Sequence, residues 1–312
     1  MKKRILSVGE IIWDVYSDRR VIGGAPLNFA AHAARCGAES TLLSAVGADE
    51  LGDEAIEALT VFGVETELIQ RSEKPTGRCL VSLNKDAVPQ YELLRDMAYD
   101  DLRLTPQEAD RIRAKGFDTL YFGTLIQRAP TSRRTLWQIV NGNRFETIFC
   151  DVNLRKNCYD KESVLFCLEH ATILKVSMEE EPTLRAFGLY APAENTPNGI
   201  ARELCRRFRK LKLVLITLGK DGAYAYEPET ERTCLQPAIG NCVASTVGAG
   251  DSFSAAFLTD YLSGKDLNAC MRKAAIVSGF VVAHMEAVPE YDISTLCDNR
   301  FKNDSPNWYA EG

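Results

Sequence analysis

Short apolar runs of strand length alternate with segments whose apolar residues recur at helical spacing through most of the chain. RILSVGEII, STLLSAVG, TLYFGTL, ETIFCDVN, ATILKVS and LVLITLG are near-continuous apolar runs rich in β-branched and aromatic residues, which predicts strands buried on both faces. APLNFAAHAARCG, DELGDEAIEALTVFG, SRRTLWQIVNG and ESVLFCLEH lie between them and predict helices. Alternation of this kind gives βαβ units, so the expected fold class is α/β. Its architecture is a three-layer α/β/α sandwich with a mostly parallel central sheet, and ligands collect at the carboxyl ends of its strands.

Two stretches break the alternation. IIWDVYSDRRVIGG and TGRCLVSLNKDAVPQYELLR read as hairpin or meander strands, the second turning at NKDAVP. They predict a small separate β-sheet made of residues 11–24 and 77–97, inserted in a single domain that spans 1–312. A β appendage beside the strand ends would be a lid that excludes water from a reaction.

Composition narrows the functional classes. A chain of 312 residues with 46% hydrophobic content buries roughly 75% of its unfolded surface. The net charge of -6 and pI near 5.4 give no bulk attraction to nucleic acid. RRFRKLK, Arg206 to Lys212, is a local exception, placed at a helix end where cations complement the dipole. The ten cysteines include no C-x-x-C pair, which suits a reducing, cytoplasmic setting. The first residues have a basic lead and an apolar stretch, but Glu10 and Asp14 interrupt it and read as part of a first strand rather than a leader. No segment reaches the roughly 20 apolar residues that span a bilayer. His32, His170 and His284 lack metal-ligand spacing.

The chemistry concentrates in STVGAGDSFSAAFL, Ser245 to Leu258. Gly248, Ala249 and Gly250 could be only a tight turn, with Asp251 or Ser252 capping the helix that follows. The alternative is that missing side chains admit an oxyanion to the helix-end amides, while Asp251 takes a proton from an attacking hydroxyl. A second turn, GGAPLN, has Gly23 and Gly24 before Pro26 at a helix start. It places the Asn28 amide where a polyol could bind, with Asp14 as an acceptor for vicinal hydroxyls.

GGAPLNFAAHAARCG and TVGAGDSFSAAF, in that order, resemble the two signatures of the ribokinase-like, or PfkB, carbohydrate kinases. LLSAVGADELGDEAIEALTVFGVET, TGRCLVSL, DVNLR, KVSMEEE and ITLGKDGAY resemble further family blocks, so the similarity covers nearly the whole chain, and GGAPLN, DVNLR and KVSMEE are most similar to fructokinases. The resemblance implies phosphorylation of a small sugar, most simply fructose, with ATP and Mg2+. Asp251 would be the base, and the amides of Gly248, Ala249 and Gly250 the anion hole. Asp14, Gly24, Asn28, Arg95 and Arg155 would meet the sugar. Lys175, Ser177, Thr217, Gly219, Gly248 and Gly250 would line the nucleotide site, and Glu180 would order magnesium through water. A homodimer formed through the lid is the assembly it suggests.

The sequence departs from the family at three points. Most members carry an aspartate where Ser245 stands, and that carboxylate helps hold a monovalent cation, so the expectation of potassium activation is weakened. Glu180 lies in S-x-x-E, not the N-x-x-E of ribokinases. Leu93 and Leu94 occupy positions often aromatic in fructokinases and ketodeoxygluconate kinases. Three readings stay open: a fructokinase-like enzyme, a kinase for ketodeoxygluconate or a nucleoside, and a catalytically silent binding module. The intact Asp251 speaks against the third. A NAD-binding enzyme is disfavoured because no G-x-G-x-x-G follows the first strand.

Overall fold

The structure is a computed structural model and describes residues 2–83, 89–240 and 242–298. The elements run β1 (Arg4–Val8), β2 (Ile12–Val15), β3 (Arg20–Gly23), α1 (Ala25–Arg35), β4 (Glu39–Gly47), α2 (Glu50–Val61), β5 (Ile69–Ser72), β6 (Gly77–Leu83) and β7 (Pro89–Leu93). Next come α3 (Pro106–Lys115), β8 (Thr119–Gly123), α4 (Pro130–Gly142), β9 (Thr147–Asp151), α5 (Lys161–His170), β10 (Ile173–Ser177), α6 (Glu181–Ala186), α7 (Pro197–Arg207) and β11 (Leu213–Thr217). The chain ends with β12 (Ala223–Glu227), β13 (Arg232–Gln236), α8 (Ala249–Leu262), α9 (Leu267–Val281) and α10 (Ile293–Asp298).

The central sheet has nine strands in the order β13-β12-β11-β10-β9-β8-β1-β4-β5. From β11 to β5 every pair is parallel, and β12 and β13 close one edge as antiparallel strands. Neighbouring residues on each strand point to opposite faces, so each strand feeds two cores. Ile5, Tyr121, Phe149, Ile173, Leu213 and Leu215 pack with the apolar side of α8 and α9. Their neighbours Leu6, Leu120, Phe122, Cys150, Leu174 and Val214 pack on the other face with Ile112, Leu136, Val164 and Leu204 of the covering helices. The sheet is therefore buried on both sides, as the apolar runs require.

The run RILSVGEII does not form one strand. β1 ends at Val8, and Ile12 opens β2 in a different sheet. Gly9 causes the break: its amide still donates to Leu43 of β4, but a Cβ there would lie 2.2 Å from Cγ of Pro26, so only glycine lets the chain turn under α1. The second sheet has the order β3-β2-β6-β7, with β2 and β6 parallel and the outer pairs antiparallel. It joins the two stretches singled out as lid strands. The predicted turn at NKDAVP spans residues 84–89, of which 84–88 lie outside the described residues, and β6 and β7 pair antiparallel on either side of it. The helix ends follow local chemistry: Asp49, Asp160 and Asp266 cap α2, α5 and α9, and Arg206 and Arg207 lie in the last turn of α7. Among the described residues, no helix is long and apolar enough to cross a membrane.

Candidate active site

The ends of β9 and β10 meet the N-terminus of α8 through the Asp151 and Lys175 pair. Gly248 is the N-cap of that helix, with φ 80 in the left-handed region, and its Cβ would lie 2.6 Å from the Ala287 carbonyl. No side chain caps the helix, and the Ser252 amide is the first to close onto the Gly248 carbonyl, at 2.9 Å. The amides of Gly250 and Asp251 are thus left as donors for an anion. Gly250 leaves room of another kind: a Cβ there would stand 3.1 Å from Nζ of Lys175.

Asp251 lies in the first turn of α8 and is 9% exposed. Asn28 of α1 donates to its Oδ2 at 2.8 Å, across 223 residues of sequence. Burial pushes the Asp251 carboxyl up to about 6; the Asn28 bond opposes this, Asp151 adds to it, and Lys175 and Arg155 draw it back. A carboxyl in that range is ionised at neutral pH and still basic enough to accept a proton. The Asn28 Oδ1 atom is buried with no partner.

Further residues of the predicted sugar site lie on the small sheet and at its step into α1. Gly24 has φ 111, and its Cβ would lie 2.5 Å from the Glu10 carbonyl, so the step from β3 into α1 has no space for a side chain. Asp14 on β2 is registered against Cys79 on β6. Burial raises the Asp14 carboxyl, while Arg155 and a hydrogen bond from the Cys79 thiol lower it. Arg95, just past β7, donates to the Asn157 carbonyl at 2.6 Å, so the end of the small sheet meets the loop that carries Arg155. Arg155 is exposed and acts on Glu10, Asp14 and Asp251 alike.

The predicted nucleotide residues gather at the ends of β10 and β11. Ser177 and Thr217 are partners in the parallel register, and the Met178 amide donates to the Thr217 carbonyl at 3.0 Å. Gly219 opens a short turn with φ 59 and faces open space. Glu180 does local work: Oε1 accepts from the Leu154 amide at 2.7 Å and Oε2 from the Ser177 amide at 2.8 Å. It thereby ties the Arg155 loop to β10, with one lone pair per oxygen to spare. Lys175 is buried and its Nζ lies 2.6 Å from Oδ2 of Asp151, against the α8 turn. Ser245 accepts a bond from the Val247 amide at 3.2 Å, which tightens the turn before the helix. Among the described residues, no group of three or more His, Cys, Asp or Glu is placed to hold a metal ion.

Sequence reasoning missed Glu10 and Asp151. Glu10 is 4% exposed, and burial pushes its carboxyl up to about 7, with Arg155 pulling down and Asp251 pushing up. The signal was a carboxylate inside an otherwise apolar run, which had only argued against a leader. Asp151 is 1% exposed at the end of β9, and the signal was an acid closing the buried strand ETIFCD.

Comparison with known proteins identifies the family. The family model described as pfkB family carbohydrate kinase matches residues 3–292. A sugar kinase of Pyrococcus horikoshii is 31% identical over 283 residues, covering 85% of this chain and 84% of that protein. Its crystal structure in complex with ATP aligns with TM-score 0.73, over 93% of this chain and 94% of that one. The 2-dehydro-3-deoxygluconokinase of Bacillus subtilis is 28% identical over 250 residues, 78% of this chain and 75% of its own. In fold, the fructokinase of Xylella fastidiosa with bound ATP matches with TM-score 0.80 at 20% identity, over 95% of this chain and 98% of that one. With its ribokinase-like sandwich, its second small sheet and a family match over nearly its whole length, the chain belongs to the pfkB family of carbohydrate kinases.

Proposed function

We propose that this chain transfers the γ-phosphoryl group of ATP to a hydroxyl of a small neutral sugar, with fructose as the first candidate. The observation that carries the reading is Asp251, a buried carboxyl in the first turn of α8, hydrogen-bonded by Asn28 and set beside amides with no other acceptor.

In this reading the acceptor hydroxyl lies against Asp251. As its oxygen bonds to the γ-phosphorus, the bond from that phosphorus to the bridging β,γ-oxygen breaks, and ADP leaves with the electron pair. The hydroxyl proton passes to Asp251. The Gly248, Ala249 and Gly250 segment presents amides to the charge on the moving phosphoryl group. Asp14, the Gly24 backbone and Arg155 orient the sugar, and the small sheet with Arg95 covers it as a lid. ATP-bound relatives of the family support the donor. Magnesium held with the nucleotide phosphates and steadied through water by Glu180 would neutralise charge there.

The charge inventory favours a neutral acceptor. Glu10, Asp14 and Asp251 face the site, against Arg95 and Arg155. A sugar acid such as 2-keto-3-deoxygluconate would need cations to spare, and the similarity to a 2-dehydro-3-deoxygluconokinase keeps it as the second reading. A coupled ADP-release assay over fructose, other ketoses, 2-keto-3-deoxygluconate and nucleosides separates these. Fastest turnover with fructose or another neutral ketose is expected. A preference for the acid would overturn the acceptor, and no turnover with any acceptor would leave a silent binding protein.

A further inference from the structure

The ion pair between Lys175 and Asp151 has no part in the steps above. Phe149 and Ile173 belong to the core beneath α8, and two residues further along each strand Asp151 and Lys175 continue the same rows. Their side chains are 2% and 9% exposed, with 2.6 Å between Nζ and Oδ2. The Tyr121 hydroxyl donates to Oδ2 at 3.4 Å, and Oδ1 of Asp151 is buried with no partner.

Stability does not explain this pair. Buried ion pairs are often replaceable by apolar residues at no loss, and an ammonium beside a helix N-terminus opposes the dipole. What the pair does face is the first turn of α8: a Cβ on Gly250, the residue before Asp251, would stand 3.1 Å from Nζ of Lys175. Around the Asp251 carboxyl stand Asn28 from α1, Glu10 from the turn after β1, Asp151 from β9, Lys175 from β10 and Arg155 from the loop after β9. Tyr121 of β8 feels the charge of both Asp151 and Asp251. Of these groups, Asp151 and Lys175 form a fixed, buried couple of opposite charge.

We propose that Lys175 and Asp151 are positioning residues for the base: one fixed cation and one fixed anion beneath the α8 turn set the charge that the Asp251 carboxylate experiences. The proposal rests on the reading of Asp251 as base. In wild type the two effects oppose, Asp151 raising the affinity of Asp251 for a proton and Lys175 lowering it. Removing one partner should therefore unbalance the base in a direction set by the partner that remains.

The test is a carbon-13 NMR titration of the aspartate carboxyls in the full-length protein, with the Asp251 signal assigned by its loss in Asp251→Asn. The midpoint is expected to rise by about one pH unit in Lys175→Met and to fall by about one in Asp151→Asn. It should stay near wild type in Lys175→Arg and in the neutral double variant. The acid limb of the turnover profile should move with it. Lys175→Met leaves a buried acid unpaired and is the variant at risk of not folding. Asp151→Asn keeps an oxygen for the ammonium and decides alone: a fall supports the proposal, and no shift or a rise overturns it. Midpoints that move together in both single variants also overturn it. Near-wild-type turnover in Asp251→Asn would instead remove the base reading, and the titration would still report whether the pair acts on that carboxyl.

Discussion

At the scale of single residues, the proposed chemistry centres on Asp251. Asp251→Asn keeps the shape and the Asn28 contact region but cannot take a proton, so turnover is expected to fall roughly 10²- to 10⁴-fold while ATP binding persists. Steady-state kinetics with a direct nucleotide-binding measurement checks this, and turnover within a few-fold of wild type refutes it. The pH profile follows from the same group. Because its carboxyl is pushed up to about 6, kcat/KM should fall as pH drops through that value, where the base becomes protonated. Ser245 makes the neighbouring prediction. With a neutral oxygen already used by the Val247 amide, the turn before α8 should give little potassium response, and Ser245→Asp should raise it. Rates compared in sodium, potassium and a bulky organic cation decide; strong potassium activation of wild type would mean that backbone carbonyls suffice to hold the ion.

Between elements, the decisive fit is the α8 turn against the segment before α10. Gly248 combines φ 80 with a Cβ position 2.6 Å from the Ala287 carbonyl. Gly248→Ala therefore meets both strain and collision, at a cost of about 1–3 kcal/mol in stability. The turn must shift to relieve it, so turnover should fall by more than the melting temperature alone accounts for; an active, unshifted variant would show that the turn is not held this tightly. The proposed lid belongs to the same scale. The four-stranded small sheet ends in the Leu94–Asp100 segment, where Arg128 grips both oxygens of Asp100 at 2.7 Å and the Leu94 carbonyl at 2.6 Å. Sugar and nucleotide together are expected to reduce proteolysis within 11–24 and 77–97. Unchanged cleavage would count against closure.

Over the whole molecule, two buried groups pull the pH dependence of stability in opposite directions. His32 is held neutral between the Tyr291 hydroxyl and the Ala287 carbonyl, and burial lowers it from 6.5 to about 4. The unfolded chain binds that proton first, so its contribution is lost as pH falls from about 6.5 toward 4, about 3 kcal/mol in all. Glu10 works the other way. Raised from 4.5 to about 7, its carboxyl gives stability at low pH that is lost as pH rises through about 7. Glu10→Gln should therefore melt above wild type near pH 8 and lose stability more steeply on acidification, because His32 then acts without its counterweight. Melting curves across the acid to alkaline range test both signs, and parallel curves for the two proteins would show that Glu10 titrates normally.

The local code carried much of this. Period-2 and period-3.6 apolar patterns and capping residues act within a few positions, so the βαβ alternation, most strand cores and the α1, α2, α4 and α5 helices were legible in order. So was the glycine turn that opens α8, because Gly-Ala-Gly-Asp before a helix is complete within four residues. Apolar patterning records that a face is buried and not which partner buries it. That is why RILSVGEII read as one strand although Gly9 divides it between two sheets, and why the antiparallel edge of β12 and β13 went unseen. The same limit governed the site. Glu10 and Asp151 look like interruptions of apolar runs until the sheet sets them under one helix end, and the Asn28 bond to Asp251 joins positions 223 residues apart. The sequence by itself determined the glycine turn before α8, the acid in its first turn and the layered fold. Tertiary structure alone decided how basic that acid is, because burial and fixed charges on other strands, set by long-range packing, determine the affinity for its proton.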